Sequence, residues 1–411
     1  MNLFGDIKVL DVGSYVAAPA AATILSDFGA TVIKIEPPDG GDRYRSMSAL
    51  PNLPKSPHNY GWALASRNKQ GVALDLKTAA GQQVLHRLVE SADVLITNYP
   101  VGRRASLGLD PNVLAKLNPR LIYASLTGYG ETGPEAHRLG FDATAYFARS
   151  GLSDITRPDE QSPPVSPAMA QGDGPTAGML YGAIVTALFR RERTGEGAYV
   201  STNLLANGIW ANGAMVQAAL CGAEIRYRWP RHAPRSALSN FYLCRDARWF
   251  SIAMVAEERL WPHLVELLGI QELARDPRFA TLPERRAHAA ALTAELDQVF
   301  LQRDAVTWQR LFEAAGFTVS IVAKLADIPF DQQAVHAGAL VPADGIGGTG
   351  TTVDSPFRIA GVEKVRPRRA PTLGEHTDEV LLAHGFSAEA IAALRRDGVV
   401  SSAAALTEAS R

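Results

Sequence analysis

The sequence predicts an α/β fold whose first part is a doubly wound layer of parallel strands and helices. Short β-rich runs at residues 7–12, 31–35 and 94–97 alternate with helix-compatible stretches, and the stretch from Ala17 to Phe28 is followed by Gly29, a typical residue after a helix end. Strands separated by helices imply parallel pairing with crossover helices. A chain of 411 residues, 46% of them hydrophobic and 20% charged, can bury a large core in one large or two moderate domains.

The remaining elements follow in order along the chain. Further strands are predicted at residues 72–76 and 121–126, and further helices at residues 78–90, 110–117, 172–191 and 204–220. A basic stretch with two prolines, Arg226 to Arg235, reads as a linker. Beyond it, strands at residues 241–244 and 250–254 and helices at residues 257–268, 287–301 and 305–315 predict a smaller α+β domain. Two more helices are predicted at residues 377–384 and 388–396.

Charge and cysteine content exclude several classes of protein. The 41 Lys and Arg residues against 42 Asp and Glu residues give a net charge of −1, so no bulk attraction to nucleic acid or to an anionic membrane is expected. Two cysteines, Cys221 and Cys244, make no disulfide framework and have no metal-ligand spacing. Neither a signal peptide nor a membrane span is recognisable, and the expected location is the cytoplasm.

One glycine-rich motif matches a cofactor template only formally. Residues 128–133 read GxGxxG after a predicted strand, but residues 134–140 lack the apolar period of the helix that dinucleotide binding requires. A surface loop is therefore favoured there. The P-loop, the GxSxG elbow and HExxH are absent from the sequence, and the nine histidines are dispersed, so no metal site is predicted.

A carboxylate between two glycines is the most informative position. Asp173 lies between Gly172 and Gly174, just ahead of a long apolar helix. It can act as the N-cap of that helix, accepting backbone N–H groups. It can also be an approachable nucleophile, because the glycines offer little steric cover. Both interpretations can hold together, since a carboxylate stabilised by the helix dipole would stay ionised at neutral pH, as a nucleophile must.

Short motifs recur along nearly the whole chain in a specific order and spacing. They are residues 7–11, 29–37, 68–70, 74–77, 93–99, 128–134, 140–142, 172–173, 193–197 and 373–377. By these motifs the chain resembles the class III CoA-transferases, the group of formyl-CoA- and succinyl-CoA-type enzymes that also contains α-methylacyl-CoA racemase.

This resemblance implies an architecture. A large Rossmann-like, CoA-binding domain would be built from residues 1–225 and 331–411, with the small α+β domain of residues 226–330 inserted between them. Two such chains would form an interlinked homodimer.

The resemblance also implies which residues form the site. The family nucleophile falls on Asp173. The predicted CoA contacts are Val16, Ala17, Leu74, Asp75, Leu76, Lys77, Asn98, Tyr99, Pro100, Arg104 and Phe141.

Some positions depart from the family pattern. Pro37 and Ser106 stand where many members carry an arginine that holds the nucleotide end of CoA. Four nearby arginines are candidates to replace them, namely Arg43, Arg45, Arg103 and Arg104. The glycine-rich loop of oxalate-specific members is missing at residues 255–258, which argues against an oxalate substrate.

The implied activity is transfer of CoA from an acyl-CoA donor, with succinyl-CoA as one candidate, to a carboxylic acid. The intermediates would be an acyl-aspartyl anhydride and an aspartyl-CoA thioester at Asp173, with backbone N–H groups of residues 172–178 stabilising the oxyanion. CoA thioesters are then substrates, and no permanently bound cofactor is expected. Two alternatives stay open: an α-methylacyl-CoA racemase, which would need a proton carrier where Phe141 stands beside Asp142 and near Glu257, and a non-catalytic CoA-binding relative.

The basic linker suggests a substrate class. Its cationic residues are Arg226, Arg228, Arg231, His232 and Arg235. One of these arginines, with Asn240 or Tyr242, is predicted to bind the second carboxylate of a C4–C6 dicarboxylic acid such as succinate, because the guanidinium binds a carboxylate bidentately. The alternative is a solvated connector.

Overall fold

The structure is a computed structural model that describes residues 2–225, 229–346, 348 and 350–402. It divides into two compact units. The first comprises Met1–Leu152, Ser166–Gln217 and Gln332–Arg411, and the second comprises Ser153–Val165 and Ala218–Asp331. The segmentation expected from the family resemblance, at residues 225 and 330, stays a prediction.

The strands and helices are numbered in chain order. The strands are β1 (Lys8–Val12), β2 (Thr31–Glu36), β3 (Gln70–Leu74), β4 (Val94–Thr97), β5 (Ile122–Thr127), β6 (Ala198–Asn203), β7 (Ser239–Leu243), β8 (Trp249–Ala253), β9 (Val319–Ile321), β10 (Leu340–Pro342), β11 (Thr351–Val353) and β12 (Val400–Ser401).

The helices are α1 (Ala17–Asp27), α2 (Tyr60–Ser66), α3 (Ala79–Val89), α4 (Val101–Arg104), α5 (Pro111–Leu117), α6 (Leu152–Ile155), α7 (Asp173–Thr194), α8 (Leu204–Ala211), α9 (Gly213–Leu220), α10 (Glu257–Leu268), α11 (Gln271–Arg275), α12 (Leu282–Ala287), α13 (Ala289–Phe300), α14 (Ala305–Ala314), α15 (Gln332–His336), α16 (Thr377–Ala383) and α17 (Ala388–Arg396). A π-helix spans Asp142–Ala148, and short 3₁₀ helices span Arg43–Ala49, Ala105–Leu107, Pro277–Phe279 and Ile328–Phe330.

The first unit is organised around a seven-stranded sheet in the order β12-β3-β2-β1-β4-β5-β6. All neighbours pair in parallel except β12, which runs antiparallel to β3. Strands β1 to β6 thus have the order 3-2-1-4-5-6 of doubly wound folds, with a switch between β1 and β4. The predicted α/β architecture with a parallel sheet is confirmed.

Both faces of this sheet are covered by apolar side chains. Leu10 of β1 lies in one buried cluster with Leu85 of α3 and Leu381 of α16. Its neighbour Val9 lies in the opposite cluster with residues of α1 and α7. This alternation follows from the two-residue period of a strand and explains why the central strands read as continuous apolar runs.

Several elements differ from the sequence prediction. The single helix expected over residues 204–220 is two helices, because α8 ends at Ala211 and α9 begins at Gly213. The side-chain amide of Asn212 between them donates to the Ser150 carbonyl oxygen at 3.2 Å. Strand β6 was not predicted, because its polar sequence AYVSTN lacks an apolar run. Residues 128–133 form turns with no α-helix beginning there, as expected for a loop.

The second unit has a three-stranded antiparallel sheet in the order β7-β8-β9. Its core is aromatic: Phe300 contacts the rings of Tyr242, Phe250, Trp308 and Phe312. Within the described residues of both units, the helices include none that is both long and apolar enough to cross a membrane.

Candidate active site

The carboxyl ends of β1 and β4 are joined by an amide side chain. Asn98, directly after β4, accepts a hydrogen bond from the Ser14 N–H and donates one to the Ser14 carbonyl oxygen, both at 2.8 Å. Val16 and Ala17 follow at the start of α1 and are buried. Tyr99 and Pro100 lie beside Asn98, half-buried. The topology therefore brings the predicted contacts of two segments to the switch point, where doubly wound folds bind ligands.

The third predicted segment follows β3, at the same edge of the sheet. Leu74 ends the strand, and the Asp75 N–H donates to the Val399 carbonyl oxygen at 2.8 Å. The Asp75 carboxylate accepts the Lys77 N–H at 2.9 Å, which makes a tight turn. Leu76 is buried and Lys77 is exposed.

Arg104 is committed to an internal network. Its side chain is 2% exposed and donates to the Tyr99 carbonyl oxygen at 3.0 Å, the Ser125 hydroxyl at 2.6 Å and the Tyr199 hydroxyl at 2.8 Å. It also pairs with Glu131 at 3.0 Å. These partners engage Nε, Nη1 and Nη2 of Arg104 within the fold, and its contact with CoA stays a prediction.

Of the other three candidate arginines, one has partners within the fold and two are exposed. Arg45 forms a bidentate pair with Glu36, at 2.7 and 2.8 Å, and lies over the Trp62 ring. Arg43 and Arg103 are exposed, and neither has an ion pair within the described residues. These two, with Lys77, are the available cations near the ends of β2, β3 and β4.

A buried ionic cluster lies beneath the loop that follows β1. Lys69 pairs with Asp11 at 2.8 Å, and Lys34 pairs with Asp42 at 3.1 Å. Burial is the main reason why the pKa of Lys69 falls to about 8. Asp42 also accepts the backbone N–H groups of Tyr15, at 3.1 Å, and Tyr44, at 3.0 Å. The cluster thus fixes the backbone at Tyr15 and Tyr44. Its charged residues are far apart in the sequence.

Asp173 is the first residue of α7 and not its N-cap. Gly172 occupies the N-cap position, where no side chain caps the helix. A Cβ atom at Gly172 would lie 2.6 Å from Cγ of Tyr146, so only glycine fits this close approach. The Asp142 carboxylate accepts the Gly172 N–H at 3.3 Å and ties the π-helix to the start of α7.

The electrostatic environment of Asp173 differs from the one expected. Burial, and next the negative charge of Asp142, raise the pKa of the half-buried Asp173 to about 7. The expected stabilisation of the ionised form is therefore outweighed. Titratable groups with strongly shifted pKa values are found preferentially at functional sites.

The first turn of α7 offers fewer backbone donors than expected. The Gly174 N–H donates to the Ala170 carbonyl oxygen at 3.3 Å, and the Thr176 N–H to the Gly172 carbonyl oxygen at 3.2 Å. Pro175 has no N–H group. The expected oxyanion hole of residues 172–178 therefore has little to supply in this region beyond the N–H of Asp173 itself.

Tyr44 is a buried tyrosine that the sequence did not single out and whose pKa is influenced by burial and by Asp173. Its side chain is 3% exposed and lies in a cluster with Val16 and Trp62, against which Tyr15 and Ala170 pack. Burial, and then the charge of Asp173, raise the pKa of Tyr44 to about 12. Neighbouring Tyr15 contacts Phe141 edge-to-face, with the ring centroids 5.7 Å apart. Phe141 is more than half exposed.

Three residues of the predicted dicarboxylate clamp are hydrogen-bonded within the second unit. Arg231 forms a bidentate pair with Asp297, at 2.8 and 2.5 Å, and donates to the Phe241 carbonyl oxygen. Asn240 donates to the Arg231 carbonyl oxygen at 2.9 Å, and the buried Tyr242 hydroxyl to the Ala237 carbonyl oxygen at 2.6 Å. These groups stabilise the second unit. His232 and Arg235 are exposed, and Arg226 and Arg228 lie outside the described residues.

Glu257, considered for a racemase, has structural partners. It is buried, accepts the Ser236 hydroxyl at 2.9 Å and lies 3.7 Å from Arg285. Phe141 carries no titratable group for the second proton transfer. No observation in the described residues favours the racemase interpretation.

Comparison with known proteins shows the family of this chain. The model of CoA-transferase family III matches residues 4–377. The (R)-2-hydroxy-4-methylpentanoate CoA-transferase of Clostridioides difficile is 31% identical over 393 residues, which cover 95% of this chain and 97% of that relative. The succinyl-CoA:glutarate CoA-transferase of Mus musculus is 30% identical over 376 residues, covering 91% and 85%.

A solved structure extends the likeness to three dimensions. The crystal structure of a CAIB/BAIF family protein from Brucella suis has a TM-score of 0.81 at 30% identity and covers 92% of this chain and 98% of that chain. The chain therefore belongs to CoA-transferase family III, and it is an enzyme that uses CoA thioesters as substrates.

Proposed function

We propose that the enzyme transfers CoA from an acyl-CoA donor to a carboxylic acid through covalent intermediates at Asp173. The observation that carries this proposal is a half-buried carboxylate at the start of α7 whose pKa is raised to about 7. A raised pKa makes the carboxylate more basic, and therefore more nucleophilic, while leaving about half of it ionised near neutral pH.

The reaction would proceed by four attacks at carbonyl carbons. An Asp173 oxygen attacks the thioester, the C–S bond breaks, and an acyl-aspartyl anhydride and a CoA thiolate form. The thiolate attacks the aspartyl carbonyl and releases the donor acid, which leaves an aspartyl-CoA thioester. The acceptor carboxylate then displaces the thiolate to form a second anhydride. The thiolate attacks the acceptor's acyl carbon, which frees Asp173 and the new CoA ester.

We propose that CoA lies along the carboxyl ends of β1, β3 and β4. The predicted contacts after these strands share one edge of a parallel sheet. Because Arg45 and Arg104 are engaged internally, the phosphates would be held by Arg43, Lys77 and Arg103, which are exposed. Replacing Arg103 or Arg43 with Ala should raise KM for the acyl-CoA with little change in kcat, since these contacts are the same in the ground state and the transition state.

The family resemblance supports further proposals. The small domain would be inserted in a Rossmann-like large domain, two chains would form an interlinked homodimer, and the enzyme would be cytoplasmic. Succinyl-CoA is the first donor to test, because the mouse relative is named for it. Arg231, Asn240 and Tyr242 have hydrogen-bond partners within the second unit, so they do not support a dicarboxylic acid as the acceptor.

A panel of carboxylic acids with succinyl-CoA as donor tests the activity directly. We expect a new CoA thioester with at least one acid, hydroxylamine-sensitive labelling of the enzyme, and loss of both in Asp173→Asn, which keeps the shape but not the nucleophile. The matched control is Asp344→Asn, an exposed aspartate that pairs with Arg366. Near-normal transfer by Asp173→Asn would disprove the covalent route. Deuterium exchange at the α carbon without an acceptor acid would instead indicate a racemase.

A further inference from the structure

We propose that the Tyr44 hydroxyl donates a hydrogen bond to the acyl oxygen that becomes negatively charged when Asp173 attacks the thioester. This inference rests on the proposed function and adds a catalytic residue to it. The hydroxyl keeps its proton throughout, and it stabilises the charge of the tetrahedral intermediate without any bond being broken. Preorganised hydrogen-bond donors that stabilise the oxyanion are among the largest contributions to the catalysis of acyl transfer.

The local backbone leaves this role largely unfilled. An oxyanion next to Asp173 requires N–H or O–H donors within hydrogen-bond distance. In the first turn of α7, the Gly174 and Thr176 N–H groups are used within the turn, and Pro175 has none. Within residues 172–176 this leaves the Asp173 N–H, and a side-chain donor would supply a second group.

The cluster that contains Tyr44 is packed against the segments of both site carboxylates. Ala170, three residues before Asp173, packs against the cluster that contains Tyr44. On the other side, Tyr15 of the same cluster contacts Phe141, next to Asp142. Asp173 is the first of the charges that raise the pKa of Tyr44, after burial. The side chains packed around Tyr44 therefore contact residues 141 and 170, on the two segments that carry Asp142 and Asp173.

The hydroxyl is available and its position is held. Within the part of the chain that the structure describes, the Tyr44 hydroxyl makes no hydrogen bond. The Tyr44 N–H is bound by Asp42, which Lys34 neutralises from below. Gly61 permits the close approach of the ring, since a Cβ atom there would lie 2.7 Å from the hydroxyl oxygen. Burial raises the pKa of this hydroxyl to about 12, which keeps it protonated near neutral pH.

The test is Tyr44→Phe, which removes only the hydroxyl. We expect kcat for transfer to fall by about 10²- to 10³-fold, as for other oxyanion donors, with KM for the acyl-CoA within about threefold of wild type. The rate of labelling Asp173 by acyl-CoA in a single turnover should fall in parallel. The matched control is Tyr181→Phe, a half-buried tyrosine of α7 that packs on Phe357 and should keep normal kinetics.

A second variant approaches the same hydroxyl from outside. Gly61→Ala should displace it and lower kcat without removing any donor. If Tyr44→Phe retains kcat within about threefold of wild type, the donor role is wrong. If kcat falls only together with Tm, or KM rises as much as kcat falls, Tyr44 has a packing role and the proposal also fails. Failure of the proposed function itself would show differently, as transfer by Asp173→Asn.

Discussion

At the scale of single residues, Asp173 shows how one side chain is both costly and useful. Burial and the nearby Asp142 make its ionised form less favourable in the folded protein, so its pKa is about 7 instead of the ordinary 3.8. The same environment gives the carboxylate the basicity of a good nucleophile. Two measurable consequences follow, one for activity and one for stability.

The pH dependence of kcat/KM should show an acid limb near the raised pKa of Asp173. In the proposed mechanism activity needs the ionised carboxylate, so it should increase as the pH rises through about 7. Asp142→Asn removes the neighbouring negative charge, but its side-chain oxygen can still accept the Gly172 N–H. We expect the limb to move to lower pH in this variant, because one of the two causes of the raised pKa is gone. An unmoved limb would contradict the assignment to Asp173.

The raised pKa of Asp173 should also affect thermal stability, which is expected to fall over the pH range in which activity rises. A carboxyl whose folded pKa lies above its unfolded pKa loses stability as the pH rises from about 4 through about 7. Asp173→Asn avoids this loss, so its Tm should exceed that of wild type at about pH 8 and by less at about pH 5. Equal gains at both pH values would show that the carboxylate is not the cause.

At the scale of elements, the start of α7 is positioned by close packing on the π-helix. The ring of Tyr146 in the π-helix lies against Gly172. The backbone carbonyl oxygen of Tyr146 would lie 2.1 Å from a Cβ atom at Gly208 of α8. The π-helix is thus held between two glycines. Its first residue, Asp142, also binds the Gly172 N–H. Three elements therefore set the position of Asp173.

Gly172→Ala tests this packing. The added methyl group meets the Tyr146 ring at 2.6 Å, so the ring or the helix start must shift. We expect a loss of about 1–3 kcal/mol in the free energy of unfolding, together with lower kcat as Asp173 moves. Gly182→Ala in the same helix is the control, because nothing lies within 4 Å of its Cβ position. It should leave stability unchanged or raise it by up to about 1 kcal/mol. Equal losses in both variants would argue against a specific contact with Tyr146.

At the scale of the whole molecule, the last described strand returns to the edge of the first sheet. Val400 of β12 pairs with Leu74 of β3, and the Val399 carbonyl oxygen accepts the Asp75 N–H at 2.8 Å. The Ser401 carbonyl oxygen accepts the Thr377 hydroxyl at 2.8 Å, which links β12 to α16. A distant part of the chain therefore supports the turn after β3 that we assign to CoA.

Truncation after Asp397 should weaken CoA binding more than catalysis. Loss of β12 frees the Asp75 N–H and exposes the edge of β3, so we expect a lower Tm and a raised KM for the acyl-CoA, with kcat changed less. Truncation after Ser402 is the matched control, since it keeps β12, and it should retain wild-type KM. Equal KM values for the two truncated proteins would contradict a supporting role for β12.

The sequence by itself determined the alternation of strands and helices and the position of the nucleophile candidate. Thr78 and Asp110 were readable as helix starts, and in the structure each caps its helix, accepting the N–H of Gly81 at 3.0 Å and of Asn112 at 2.8 Å. Asp173 stood out because its two glycines and the apolar helix are adjacent in the chain. Such signals lie within a few residues, where backbone geometry is decided locally.

Only the tertiary structure decided what surrounds these residues. The raised pKa of Asp173 depends on Asp142, thirty-one positions away, and Tyr44 lies in the 3₁₀ helix Arg43–Ala49 that follows β2. In the sequence Arg104 and Arg231 are candidates to bind anionic substrate groups, but in the fold they form ion pairs with Glu131 and Asp297. Charge pairing and burial depend on distances in space between residues that are remote in the chain, and a one-dimensional pattern does not contain those distances.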